Sequence, residues 1–304
     1  MTVPDIPLAI IGPTAAGKSA LALAIAAADE RVELISADSM QVYRGMDIGT
    51  AKPSTQEQEL VRHHLIDIRD PSDDYTVSAF VIDVAAVVHD IRDRGRIPVM
   101  VGGTGLYVRS IVDDLEIPDQ FPQVRAELEA EPDTERLHRR LVDLDPVAAE
   151  RMEPNNRRRV VRALEVCVGS GRPFSSFGPG MERYRPSRIA QIGCDRPRPS
   201  LNERIDRRYD LQMELGFIDE VAGLVNSPGA MSRTARQALG YKELLRHLEG
   251  DLELDAALEL AKLRTRRFSR KQQRWFRRDP RIEWFDLDDV PAGQVLERCL
   301  PMLS

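Results

Sequence analysis

The sequence predicts an α/β protein, a parallel sheet covered by helices on both faces and interrupted by a small all-helical segment. Three observations carry this. Residues 8–28 run from a short apolar stretch through a glycine-containing turn into strong helix formers. Short apolar segments and helical patterns then alternate as far as residue 101, and residues 121–170 show helical patterns only.

In chain order, Leu8, Ala9, Ile10 and Ile11 read as the first strand and residues 20–28 as the helix after it. Apolar segments at 32–35, 65–68 and 97–101 read as further strands. Residues 77–91 place Val81, Val84, Val88 and Ile91 on one helical face. The character changes after about Pro118, with candidate helix starts at Pro122 and Pro146 and breaks near 131–132 and 153–156. Residues 172–188 are a loop rich in Pro, Gly and Ser. Residues 188–194 read as one more strand, helices dominate to 278, and 282–285 reads as a last strand. The expected organisation is a core of residues 1–120 and 180–304 around a helical insertion at 121–179.

With 304 residues, 42% hydrophobic and 30% charged, the chain can bury a substantial core without disulfides or structural metals, and disorder is excluded as its main state. No apolar run approaches the ~18 residues of a membrane span. The first residues lack a basic region and a cleavage site, so a soluble cytoplasmic protein with no membrane partner is expected. Cys167, Cys194 and Cys299 are widely separated and form no CxxC pair, which reads as inert thiols in a reducing compartment. A net charge of −6 argues against a polyanionic partner, but the average hides an asymmetry. Residues 1–120 carry 10 Lys and Arg against 19 Asp and Glu, whereas residues 121–304 carry 33 against 30.

Gly12-Pro13-Thr14-Ala15-Ala16-Gly17-Lys18-Ser19 matches GxxxxGK[ST] between a strand and a helix, which makes the core P-loop NTPase-like. The glycines let backbone N–H groups wrap phosphate oxygens, the helix N-terminus adds its dipole, Lys18 supplies a point charge, and the Ser19 hydroxyl can ligate Mg²⁺. This is a phosphate or diphosphate site. An ATPase normally also carries an acid at the end of an apolar strand, yet strand 97–101 runs into Gly102-Gly103-Thr104-Gly105. The acid in the right neighbourhood is Asp38, just beyond the second strand, as a general base or a metal partner.

Several further blocks accompany the loop: Ile35-Ser36-Ala37-Asp38-Ser39, Gly45-Met46-Asp47-Ile48-Gly49-Thr50-Ala51-Lys52-Pro53, Val101-Gly102-Gly103-Thr104-Gly105-Leu106-Tyr107, residues 155–165 and Ala238-Leu239-Gly240-Tyr241-Lys242-Glu243. In this order they resemble the tRNA dimethylallyltransferases over nearly the whole chain. The resemblance implies transfer of a dimethylallyl group from its diphosphate to N6 of adenosine 37, beside the tRNA anticodon, with Mg²⁺ as cofactor. It implies Asp38 as acceptor of the N6 proton, Thr14, Lys18 and Arg125 at the diphosphate, and Thr104 at a channel wall. It further implies RNA contacts by Asp38, Ser39, Met40, Gln41, Thr104 and Arg125; Gln237 and Lys242 are candidates for the same role, in a segment that either contacts RNA or only turns the chain.

Two basic runs suit such a partner. Arg157, Arg158, Arg159 and Arg162 fall within six residues, and residues 262–278 carry nine Lys or Arg, Arg267, Arg270 and Arg274 among them, without an acid. Phe268, Trp275 and Phe276 are interleaved with the longer run, where each reads equally as a stacking side chain for RNA or as part of the core. Unrelieved positive charge at helical spacing is mildly destabilising unless a polyanion offsets it. The expected partners are therefore the tRNA anticodon stem-loop and dimethylallyl diphosphate, with a monomer and no obligate protein partner. The alternative is a P-loop kinase of a nucleotide or small metabolite, with Asp38 deprotonating the acceptor hydroxyl; it leaves the acid-free basic run unexplained.

Overall fold

The structure, a computed structural model, describes residues 5–178, 180, 183–227 and 229–303. It divides into two compact units, one made of the chain up to Val112 together with that from Pro186 onward, the other spanning Asp113–Arg185.

The first unit is built on a six-stranded parallel sheet in the order β3-β2-β4-β1-β5-β6. The strands are β1 (Leu8–Ile11), β2 (Val32–Ala37), β3 (His63–His64), β4 (Ile97–Gly102), β5 (Ala190–Asp195) and β6 (Glu283–Asp286). Every residue of β1 is buried, so the period of two is hidden in its sequence. The packing recovers it: Leu8 and Ile10 enter the apolar layer on one face, with Leu21, Ile25 and Val295, while Ala9 and Ile11 enter the layer on the other, with Phe80, Val84 and Ile91.

Helices α1 (Lys18–Ala28), α2 (Thr55–Leu60), α3 (Val77–Asp93) and α4 (Gly105–Val112) precede the second unit. Helix α2 starts with a capping box between Ser54 and Glu57, and α3 buries Phe80, Val84, Val88 and Ile91 along one stripe. The expected strand at 65–68 is absent. Leu65 and Asp67 have φ of 63° and 55°, left-handed values that break a ladder, and the N–H groups of Asp67, Ile68 and Arg69 turn to the carbonyls of Gln41 and Val42. Pairing with β2 is confined to His63 and His64.

After the second unit come α9 (Arg198–Glu214), α10 (Phe217–Asn226), α11 (Tyr241–Leu248), α12 (Leu254–Phe276) and α13 (Ala292–Cys299), numbered in continuity with the helices of that unit. These are α5 (Pro122–Ala130), α6 (Thr134–Leu144), α7 (Pro146–Glu150) and α8 (Arg157–Ser170). Pro122 and Pro146 stand at the first positions of α5 and α7, as the sequence predicts. Leu128, Leu137, Leu141, Val160, Val161 and Leu164 form a separate apolar core.

The helical unit is wider than the expected 121–179. Its lead-in is tied to α8, because the carbonyls of Pro118 and Asp119 accept hydrogen bonds from Arg162 and the Phe121 N–H donates to Glu165 at 2.8 Å. All three cysteines are buried and unbridged. Among the described residues, no helix is long and apolar enough to cross a membrane.

Candidate active site

In a parallel sheet the C-terminal strand ends open onto one crevice. Here the Gly12–Lys18 turn follows β1, Asp38 follows β2 and Gly103 follows β4, and all three border one cleft of about 700 Å³.

The phosphate loop is shaped by backbone that few side chains permit. A Cβ on Gly12 would overlap the Cys194 carbonyl of β5, and Ala15 and Gly17 have φ of 66° and 109°. Its carbonyls point at cations. Lys18 Nζ donates to the Pro13 carbonyl at 2.7 Å, Arg204 Nε to that of Ala15 at 2.8 Å, and Arg196 Nε to that of Ala16 at 3.0 Å. Arg208 Nη1 donates to Thr14 Oγ1 at 3.0 Å. Burial pushes Lys18 down from the usual lysine value to about 8; the nearby Cys194 and Asp38 oppose this and Arg208 reinforces it. Burial also lowers Arg208. Two desolvated cations share the cleft with the Asp38 carboxylate, a field that favours a multiply charged anion.

Asp38 Oδ1 accepts the Met40 N–H at 2.8 Å, closing a turn in which no other described residue donates to Oδ2. Thr104 braces that turn. Its N–H reaches the Ala37 carbonyl at 3.2 Å, and its hydroxyl oxygen accepts the Ser39 N–H at 3.1 Å. Gln41 is occupied internally, accepting from the Ser36 hydroxyl at 2.9 Å and donating to the Ala51 carbonyl at 3.2 Å. The glycines after β4 make close approaches: a Cβ on Gly102 would overlap Ala37, on Gly103 the Gln272 amide, and on Gly105 the Trp275 ring. Gly103 and Gly105 thereby seat α12.

The Gly45–Pro53 block is a clamped loop. Lys52, whose side chain is almost fully buried, holds Asp47, Asp67 and the Tyr43 carbonyl together. Glu220 of α10 accepts the N–H groups of Asp47, Ile48 and Gly49 at 2.9, 2.7 and 3.2 Å, and Gln212 donates to the Ile48 carbonyl. Gly49, Thr50 and Pro53 line the cleft, as do Gln237, Leu239 and Tyr241; Lys242 donates to Gln237 Oε1 at 2.7 Å.

Helix α12 and the two residues after it carry paired and unpaired cations. Lys262, Arg264, Arg266 and Arg277 pair with Asp210, Glu243, Asp206 and Asp195. Arg267, Arg270, Lys271, Arg274 and Arg278 have no carboxylate partner among the described residues, and the helical spacing of the first four puts them on one stripe. Of the interleaved aromatics, Phe276 is core at 2% exposure and Trp275 packs on Gly105. Phe268 is 40% exposed and lines the cleft. Arg277 also lies over the Trp284 ring, 4.5 Å from its centroid.

The helical unit divides its arginines likewise. Arg157 holds the carbonyls of Glu129 and Glu131, and Arg162 those of Pro118 and Asp119 together with Glu165. Arg158 and Arg159 are exposed and unpaired among the described residues. Arg125 Nε bonds Glu129 at 3.0 Å and its guanidinium faces Glu165 at 3.7 Å, so a phosphate contact requires it to exchange these carboxylates.

Sequence reasoning missed Arg196, Arg204, Arg208, Glu220 and Gln272. Each sits in a helix or turn of mixed polar composition, where nothing local separates a site residue from a solvated one.

Comparison with known proteins gives the family. A family model described as IPP transferase matches residues 41–279. A tRNA dimethylallyltransferase of Kineococcus radiotolerans is 45% identical, the alignment covering 100% of this chain and 99% of the relative. That of Carboxydothermus hydrogenoformans is 44% identical over 96% and 95%. Among solved structures, the tRNA isopentenylpyrophosphate transferase of Bacillus halodurans superposes with a TM-score of 0.71 at 38% identity, over 97% of this chain and 96% of that one. A eukaryotic dimethylallyltransferase described as acting on tRNA superposes with a TM-score of 0.81 at 26% identity, over 95% and 77%. With the family model matching most of the chain and relatives aligned nearly end to end, this protein belongs to the IPP transferase family, the tRNA dimethylallyltransferases.

Proposed function

We propose that this protein transfers a dimethylallyl group from dimethylallyl diphosphate to N6 of adenosine 37 in the tRNA anticodon loop, releasing diphosphate. The observation that carries this reading is a cationic phosphate-loop cleft that also holds the Asp38 carboxylate, bordered by a helix with a free basic stripe.

The N6 lone pair is delocalised into the purine and is a weak nucleophile, so the allylic carbon must develop strong carbocation character. The N6–C1 bond forms, the C1–O bond breaks, and its electron pair leaves with diphosphate. Lys18, Arg208, the Thr14 hydroxyl and the loop N–H groups neutralise that growing charge. The N6 proton passes to Asp38 Oδ2, which is free to accept it while Oδ1 stays with Met40. The Ser19 hydroxyl at the cleft wall would hold Mg²⁺, which would supply further charge neutralisation.

The adenine must leave its stack to reach the cleft, at a cost of a few kcal/mol. Arg267, Arg270 and Arg274 on α12, with Arg158 and Arg159 of the helical unit, offset it through RNA phosphates. Ser39, Met40, Thr104 and Gln237 stand at the wall that the base passes. The protein works in the cytoplasm as a monomer.

Incubation with bulk tRNA, labelled dimethylallyl diphosphate and Mg²⁺, followed by nucleoside analysis, tests the reading. It expects one C5 unit on adenosine. ADP release from ATP without label in tRNA would overturn it in favour of a kinase.

A further inference from the structure

We propose that Gln272 is a positioning residue that holds Thr14 in register for departure of the diphosphate. The inference rests on the transfer reaction above.

Gln272 lies in α12, only 8% exposed, and both ends of its amide are used. Oε1 accepts the Thr14 N–H at 2.9 Å, and Nε2 donates to the Gly103 carbonyl at 2.8 Å. A Cβ on Gly103 would come within 2.6 Å of Nε2, so the glycine makes room for this amide. With its donor fixed on Gly103 just beyond β4 and its acceptor on the phosphate loop, the amide has a single orientation.

Two consequences follow for Thr14. Its backbone N–H is withdrawn from the set that faces phosphate, so its main chain is pinned from outside the loop. Its hydroxyl oxygen accepts from Arg208, which leaves the one hydroxyl proton to donate elsewhere and strengthens it as a donor. A donor aimed at a leaving oxygen gains most when the charge is greatest, in the transition state. Moving it by about 1 Å costs up to about a hundredfold in rate while leaving ground-state binding nearly intact. Gln272 sets that position from the same helix that carries the unpaired cations.

The test is a double-mutant cycle on the full-length protein with tRNA and labelled dimethylallyl diphosphate under single turnover. Gln272→Leu, close in size but apolar, is expected to slow transfer about 10- to 100-fold, with KM for the diphosphate and Kd for tRNA within about threefold of wild type. Thr14→Ala slows transfer by itself, and the double variant is expected to be no slower than the slower single variant. Gln272→Glu, which keeps the acceptor for Thr14, gives a second cycle and is expected to retain more of the rate than Gln272→Leu. A wild-type rate in Gln272→Leu, losses that multiply in the double variant, or a loss confined to tRNA KM would overturn the proposal. Failure of the wild-type protein to transfer any C5 unit would instead overturn the reaction on which it rests.

Discussion

The Tyr241 hydroxyl donates to Glu220 Oε1 at 2.5 Å, closing a carboxylate that already accepts three backbone N–H groups of the 47–49 turn. One side chain of α10 therefore fixes a segment 171 residues earlier in the chain, and with it one wall of the cleft. Glu220→Gln puts an amide donor against N–H or O–H donors, and is expected to cost about 2–4 kcal/mol. Denaturant titration checks the stability. In the kinetics, KM for tRNA rises more than KM for dimethylallyl diphosphate, because the clamped loop walls the cleft without forming the phosphate loop. Unchanged stability would mean that the loop holds itself.

Lys18 gives a pH signature. Its pKa of about 8 in the free cleft means that above that pH a binding anion must recruit a proton onto the amine. The affinity for inorganic pyrophosphate is expected to be nearly flat below pH 8 and to fall above it, with proton uptake visible by calorimetry in buffers of different ionisation enthalpy. Lys18→Arg, which stays charged throughout, removes the decline. A decline that persists in this variant belongs to another group.

The free stripe of α12 governs salt dependence. Replacing Arg267, Arg270 and Arg274 by Ala is expected to flatten the slope of log K against log salt for tRNA by about 2, at roughly 0.7 per single-strand phosphate contact. Arg266→Ala, which removes a partner of Asp206, leaves the slope nearly unchanged. Equal slopes for the two variants would show that the stripe does not face RNA.

Acid stability depends on Glu33. Burial raises its pKa, but hydrogen bonds with Arg94 and His64 outweigh that and bring it down to about 2. A depressed carboxylate stabilises the fold above its unfolded value, and that contribution is lost as pH falls from about 4.5 through 2. Glu33→Gln is expected to be less stable at neutral pH and to lose less stability than wild type over that range. A parallel acid limb in chemical denaturation would place the effect elsewhere.

What the sequence makes legible is local. The phosphate loop, Asp38 beyond β2, and the proline-started helices α5 and α7 each follow from a rule that operates within a few residues. The paired and free cations of α12 look alike in sequence, because Asp206 and Asp210 lie 60 and 52 residues earlier in the chain than the cations they hold. Gln272 has no charge or periodicity to mark it, and its partners Thr14 and Gly103 are 258 and 169 residues distant. The strand expected at 65–68 fails because apolar content does not reveal the left-handed backbone at Leu65 and Asp67.

The chain has two tryptophans, and both belong to the seat of α12. Trp275 rests on Gly105 beside the cleft, and Trp284 lies beneath the Arg277 guanidinium. The unlabelled protein thus carries its own optical reporter: a change in tryptophan emission on mixing with ligand reads the surroundings of the C-terminal end of one helix, and stopped-flow fluorescence can time it without a dye.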